Sequence, residues 1–185
     1  MDDFLALVRR RTSTRRYLDQ PIPREHLMQC VEAARLAPSA CNAQPWSFVV
    51  IDDQPTLQRL AETVCHGMHA FNKFTGAAAA WIVLVSDREG FVRKAAQKVK
   101  GTDYYLIDIG IAAEHISLQA ESLGLGSCMI GWFDEKNLKR ELDLPRRAKV
   151  DLFIALGYPA TSPKKPRSRK PLEEVARFHE PGEGA

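Results

Sequence analysis

The sequence predicts an α+β fold, a sheet with helices packed over it. Two observations predict it. Short apolar runs rich in β-formers are interleaved with segments of helical period, and the interleaving lacks the regular strand–helix–strand succession of a parallel sheet. The size agrees: 185 residues, 45% hydrophobic and 26% charged, fit one globular domain, residues 1–185, with a core of its own.

Taken in order, Asp2 to Arg11 reads as a first helix with Phe4, Leu5, Leu7 and Val8 on its apolar side. Pro23 to Ala37 reads as a second, because Pro23 suits a first turn, Leu27, Cys30, Val31, Ala34 and Ala37 recur at helical spacing, and Pro38 stops the run. Trp46 to Ile51 is a strand. Asp53 caps a third helix, with Pro55 near its start and Leu57, Leu60, Ala61 and Val64 on one face. Ala79 to Val85 is a buried strand. A long helix fills Asp103 to Leu123, with Gly124 as its C-terminal cap. Ser127 to Trp132 is a strand, Asp134 caps a short helix to Leu142, and Val150 to Leu156 is the last core strand. After Gly157 the chain turns Pro-rich and basic and reads as an extended arm. The long helix carries two apolar sides, so it is expected to be covered twice, once by its own sheet. Gly110 in its middle costs about 1 kcal/mol against Ala, which close approach of a backbone or a flat ligand would explain.

The acidic start, Met1-Asp2-Asp3-Phe4, does not read as a signal peptide, and the longest apolar stretch, Gly76 to Val85, is about half a membrane span. The expectation is a cytoplasmic protein without a membrane partner. Cys30, Cys41, Cys65 and Cys128 lie far apart with no CxxC pair, as reduced thiols do, and no metal site is expected. The net charge of +3 is unevenly spread. Arg9, Arg10, Arg11, Arg15 and Arg16 form one basic cluster; Lys164, Lys165, Arg167, Arg169 and Lys170 form another. Such runs are usually solvated faces. No aromatic residues interleave with them to stack bases, which argues against nucleic acid and leaves a pocket for one anionic ligand.

Four constellations carry the chemistry. Arg11-Thr12-Ser13-Thr14-Arg15-Arg16-Tyr17 alternates guanidinium forks with hydroxyls, a donor set that suits a phosphate. Ala37 to Trp46 (APSACNAQPW) places small residues and two amides between a helix stop and a strand, where a planar ligand could approach the backbone. Leu123 to Trp132 (LGLGSCMIGW) ends a helix and opens a strand, the reverse of a dinucleotide fingerprint, so a Rossmann site is rejected. Ala155-Leu156-Gly157-Tyr158-Pro159 leads into the basic arm and RKPLEEV.

In this order, over about residues 4 to 178, the four pieces resemble the FMN-dependent nitroreductase family. The resemblance implies a three-layer α+β fold, with a central mixed, mainly antiparallel sheet flanked by helices. It also implies a homodimer in which the C-terminal arm, residues 159–175, wraps the partner subunit, with FMN sites at the interface. Carried over by position, Arg11, Thr12, Ser13 and Arg15 would hold the phosphate and ribityl end, and Arg167 and Arg169 would close on the phosphate. Pro38, Ser39, Ala40 and Asn42, with Gln44 beside them, would reach the ring from the other subunit. Cys128, Met129, Ile130 and Gly131 would lie beside the isoalloxazine, and Asn72 would meet its pyrimidine edge. Thr12 stands where many relatives carry Arg or His, and Ile130 where some carry Glu. The implied activity is electron transfer from NAD(P)H through bound FMN to a nitroaromatic, quinone or similar small acceptor, with ping-pong kinetics and no side chain assigned as acid or base. The Asp87–Asp103 segment is short where many relatives insert helices that wall the substrate pocket. Alternatives are a flavin-dependent dehydrogenase or dehalogenase on the same fold and, from another class, a basic nucleic-acid-binding or adaptor module.

Overall fold

The computed structural model describes residues 3–87, 103–161 and 167–179. Most of the expected Asp87–Asp103 segment, and residues 162–166 of the arm, lie outside the described residues.

Local chemistry sets the helix starts. Helix α1, Phe4–Arg10, begins where the Asp3 carboxylate accepts the Leu5 N–H at 3.1 Å. Helix α2, Arg24–Arg35, follows Pro23, and α3, Gln54–Val64, is capped by Asp53 accepting the Thr56 N–H at 2.9 Å. The long α4 spans Tyr104–Ser122. Asp134 caps α5, Glu135–Glu141, by accepting the Asn137 N–H at 3.0 Å. A single turn, α6, Leu172–Val175, lies within the basic arm that reads as extended in sequence. Two 3₁₀ segments, Ala40–Asn42 and Gly67–Ala77, complete the helical elements among the described residues. The second has no clear sequence signal.

The strands are β1 Trp46–Ile51, β2 Ala80–Asp87, β3 Gly126–Ile130 and β4 Ala148–Gly157, in the order β1-β2-β4-β3. Every pairing between these strands is antiparallel; the parallel component is an isolated bridge from Ser13 to Ser127. Strand β3 stops at Ile130, two residues short of its expected end, because its ladder with β4 ends where Ile130 faces Phe153.

The period-two alternation of β2 divides two cores. Trp81, Val83 and Val85 point to the face covered by Leu57, Leu60 and Val64 of α3 and Leu138 of α5. Ala80, Ile82 and Leu84 point to the other, covered by Leu27, Cys30 and Ala34 of α2 and Ile109, Ala113 and Ile116 of α4. Helices on both faces of one sheet make three layers. Trp81, fully buried, stacks on Phe153 at 4.1 Å between ring centroids, and its indole N–H donates to the Thr75 carbonyl at 2.9 Å. On α4, burial starts at Asp108; Leu106 and Ile107 in the first turn stay half exposed.

Candidate functional site

The segment after α1 is drawn onto the sheet. The Thr14 N–H donates to the Ser127 carbonyl at 2.8 Å, Leu18 N–H to Tyr158 O at 2.9 Å, and Ala160 N–H to Arg16 O at 3.0 Å. Two glycines allow this. A Cβ on Gly126 would fall 2.3 Å from the Thr14 hydroxyl oxygen, and one on Gly157 would fall 2.7 Å from the Tyr17 ring. The Tyr17 hydroxyl donates to the Thr14 carbonyl at 2.7 Å and lies 3.3 Å from that of Ala155. Burial, then the nearby Cys128, pushes the phenol well above its ordinary value, so it is a permanent donor. Thr14 and Tyr17 are thus the fasteners of the basic loop, a role the sequence did not assign to them.

The loop's guanidiniums gather beside β3. Arg167 is pulled below the usual arginine range by partial desolvation and then by the charges of Arg11, Arg169 and Arg15; Glu114 acts in the opposite sense. Burial raises the Cys128 thiol, while Arg15, Arg11 and Arg167 draw it back, so three of these cations act electrostatically on β3 itself. Arg11 pairs with Glu114 of α4 at 3.4 Å, and Arg15 reaches back to the Ser13 carbonyl at 3.4 Å. Like charges at close quarters repel, and a set of them facing solvent beside hydroxyls is arranged for an anion. The structure therefore brings Arg11, Arg15 and Arg167 within electrostatic reach of one another and of Cys128, with Ser13 bridged to Ser127 and Arg169 acting on Arg167.

Gly131 follows the end of β3 directly, and both it and Met129 are exposed, so the strand presents backbone at its rim. Asn72 joins the same rim. Although buried, it sends its amide to the Trp132 carbonyl at 2.8 Å, tying the Gly67–Ala77 segment to the residue after Gly131. The Trp132 and Phe71 rings meet edge-to-face at 5.6 Å, both largely exposed.

The Pro38–Gln44 loop is placed elsewhere along α4. Asp108, buried in the helix, accepts the Ala40 N–H at 3.0 Å, six residues before the Glu114 that holds Arg11, or about 9 Å of helix rise. Cys41, Asn42 and Gln44 all take left-handed backbone angles, with φ of 53°, 53° and 46°. The Ser39 hydroxyl accepts the Gln44 N–H at 3.0 Å, and the Gln44 amide donates to the Asn42 side-chain oxygen at 3.2 Å. Left-handed non-glycine residues persist where surrounding bonds over-determine them, as here, and such strain is characteristic of ligand-facing loops. Asp108 is the other residue the sequence reading passed over; a lone carboxylate among the apolar positions of α4 was its signal.

Among the described residues, no group of three or more His, Cys, Asp or Glu is placed to hold a metal ion, and no helix is long and apolar enough to cross a membrane.

Comparison with known proteins bears on the family and the fold. An NADH dehydrogenase of Thermus thermophilus is 31% identical over 207 residues, covering 95% of each chain. A nitroreductase family protein of Clostridium novyi superposes with a TM-score of 0.76 at 30% identity, covering 89% of each chain. An FMN-dependent nitroreductase of Clostridium difficile does so with a TM-score of 0.77 at 29% identity, covering 96% of this chain and 99% of the other. The sequence pattern of the nitroreductase family matches residues 8–73 and 66–158, most of the chain, and the protein belongs to that family.

Proposed function

We propose that this protein is an FMN-dependent oxidoreductase that passes electrons from NAD(P)H to a small acceptor such as a nitroaromatic or quinone. The observation that carries the reading is the mutual approach of Arg11, Arg15 and Arg167 beside β3, with Arg169 next to Arg167. Its donor chemistry fits a phosphate monoester, which brings about −1.5 to −2 charge at neutral pH. Arg11, Thr12, Ser13 and Arg15 would hold the phosphate and ribityl end, with Arg167 and Arg169 closing over it. Cys128, Met129, Ile130 and Gly131 would line one side of the ring, and Asn72 would fix the rim they form. When bound, FMN supplies hydride acceptance from the nicotinamide and return of the electrons to the acceptor. The protein's own part is to anchor the anion, present the backbone of β3 and stabilise the negative charge of the reduced ring with fixed donors.

The unit in this reading is one domain over residues 1–185, acting as a homodimer in the cytoplasm. Pro38, Ser39, Ala40, Asn42 and Gln44 serve the partner's ring, and residues 159–175 lie across the partner. Exposed apolar side chains on the arm and on two helices are what such an interface would cover: Phe178 is 97% exposed, Leu172 72%, Phe4 63% and Leu106 51%. Light scattering at micromolar concentration checks the assembly, and a monomer that retains FMN would contradict it.

The reaction is tested directly. The purified protein should carry the flavin absorption bands, NADH or NADPH under anaerobic conditions should bleach them, and acceptor should restore them. Donor and acceptor taking turns at one site give parallel initial-rate lines. Failure of both nicotinamides to bleach bound FMN would overturn the assignment while leaving the fold untouched.

A further inference from the structure

A second basic site lies on α5 and the turn that follows it. The geometry points to a groove for a compact polyphosphate anion, formed by one face of α5, the 142–148 turn and the start of β4. Its volume is about 940 Å³. Lys136, Lys139 and Arg140 come from the helix, one turn apart on one face; Arg146 and Arg147 come from the turn, and Lys149 from the strand. The carboxylates in the lining are Glu135 and Asp143. Six cations against two carboxylates leave a local excess of four charges, more than the formal +3 of the entire chain.

The frame is built before any ligand arrives. Glu135 accepts the Val150 N–H at 3.1 Å and pairs with the Lys149 ammonium, locking α5 to β4. The Lys139 ammonium donates to the Arg146 carbonyl at 2.7 Å, and the Leu144 N–H to the Lys139 carbonyl at 2.9 Å, which fixes the turn against the helix. Asp143, at φ 50°, closes the bend. Arg140 has Glu141 within 3.5 Å, Lys149 is held by Glu135 and Lys139 by the Arg146 carbonyl, so the exposed Lys136 and Arg146 lead the recognition.

The lining selects the ligand class. Its apolar members are Leu144 and Ala148, and no aromatic ring is among its described residues, so a nucleobase has no stacking platform and the contacts are made to phosphate oxygens. With Arg140 set against Glu141 the excess of the lining falls from four to three, which one phosphate at about −2 leaves unmet and a di- or triphosphate chain matches. The cations surround one concave volume rather than running along a stripe, which favours a compact anion over a duplex backbone.

The test uses the full chain loaded with FMN, so that the Arg11 cluster is filled, and inorganic tripolyphosphate as probe at about 0.15 M salt, where distant surface charges are screened. Calorimetry should give one tripolyphosphate per chain, amide shifts in an NMR titration should concentrate at residues 135–149, and orthophosphate should bind roughly tenfold or more weakly. Lys136 and Arg146 are exposed, so Lys136→Ala and Arg146→Ala keep the fold, confirmed by an unchanged melting curve, and together should weaken binding roughly tenfold or more. Unaltered affinity in the double variant, shifts centred on the Arg11 loop, or binding that never saturates would each overturn the site. A DNA duplex that binds the same amides more tightly than tripolyphosphate would replace the compact anion with nucleic acid and overturn it as well. None of these outcomes depends on whether NAD(P)H reduces the flavin.

Discussion

Replacing Gly126 with alanine should separate the basic loop from the sheet. The new Cβ would sit 2.3 Å from the Thr14 Oγ1, 2.6 Å from its Cβ and 2.7 Å from its Cγ2. Carbon pairs rest at about 3.5–4.0 Å, so one chain must give by about 1 Å. A rotamer change cannot achieve this, because Thr14 Cβ is fixed by its backbone. That backbone is pinned by the Thr14 N–H to Ser127 at 2.8 Å and by the Tyr17 hydroxyl to the Thr14 carbonyl at 2.7 Å. Overpacking of this kind costs about 1–3 kcal/mol. At about 2–4 °C per kcal/mol for a chain of this size, the melting temperature should fall by about 2–12 °C. FMN affinity should fall with it, since the displaced segment carries Arg11 to Arg15.

The assay is thermal melting, with and without FMN, on a double-mutant cycle. Thr14→Gly removes all three clashing atoms, so its combination with Gly126→Ala should be more stable than the sum of the single losses. Thr14→Ala keeps the Cβ and should give little rescue. A Gly126→Ala protein with the wild-type melting temperature and FMN affinity would refute the clamp.

Other outcomes follow from single contacts. Arg15→Ala and Arg169→Ala should each remove a charge-assisted phosphate contact worth about 1.5–3 kcal/mol, lowering FMN affinity by one to two decades in a fluorescence titration while the melting curve of the FMN-free protein is kept. Asp108→Ala should release the Ala40 amide, seen as faster hydrogen exchange there, whereas Asp108→Asn retains an acceptor oxygen and should stay slow. Asp134 is held below the ordinary carboxylate range first by the Asn137 N–H and then by His66. With the folded value depressed, its stabilisation is present above the unfolded pKa of about 3.9 and is lost as pH falls through the folded value. Asp134→Ala should therefore cost about 0.5–2 kcal/mol at pH 7 in denaturant melts, a gap that narrows below about pH 4.

What could be read in advance was governed by local chemistry. Trp46–Ile51 has the bounds the sequence suggests, since its apolar run is flanked by a loop and by the Asp53 cap. Strand β3 ends two residues before its apolar run does, because its end depends on where β4 stops pairing and on Asn72 taking the Trp132 carbonyl, both long-range events. The 3₁₀ run at Gly67–Ala77 shows no strong period. The arginines announced their chemistry, while their fasteners did not: Thr14 and Tyr17 act through contacts to β3 and β4, and Asp108 meets Ala40 across 68 positions of sequence.

Helix α4 ties these observations to the proposed dimer. One side is spent on the sheet and α2, through Ile109, Ala112, Ala113, Ile116 and Ala120. The outward side keeps Leu106 and Ile107 half exposed and Gly110 with no atom within 4 Å of where its Cβ would stand. A mid-helix glycine costs about 1 kcal/mol, and within one chain nothing is gained for it. A surface that combines two large apolar side chains with a flat glycine is suited to close packing of another body. Beside it, Asp108 accepts the Ala40 N–H and so holds the turn that contains the left-handed Cys41, Asn42 and Gln44. The bare glycine and the apolar pair thus occur on the one element that also anchors, through Asp108, the loop assigned to the partner's FMN. In this reading, self-association and completion of the cofactor site are a single event.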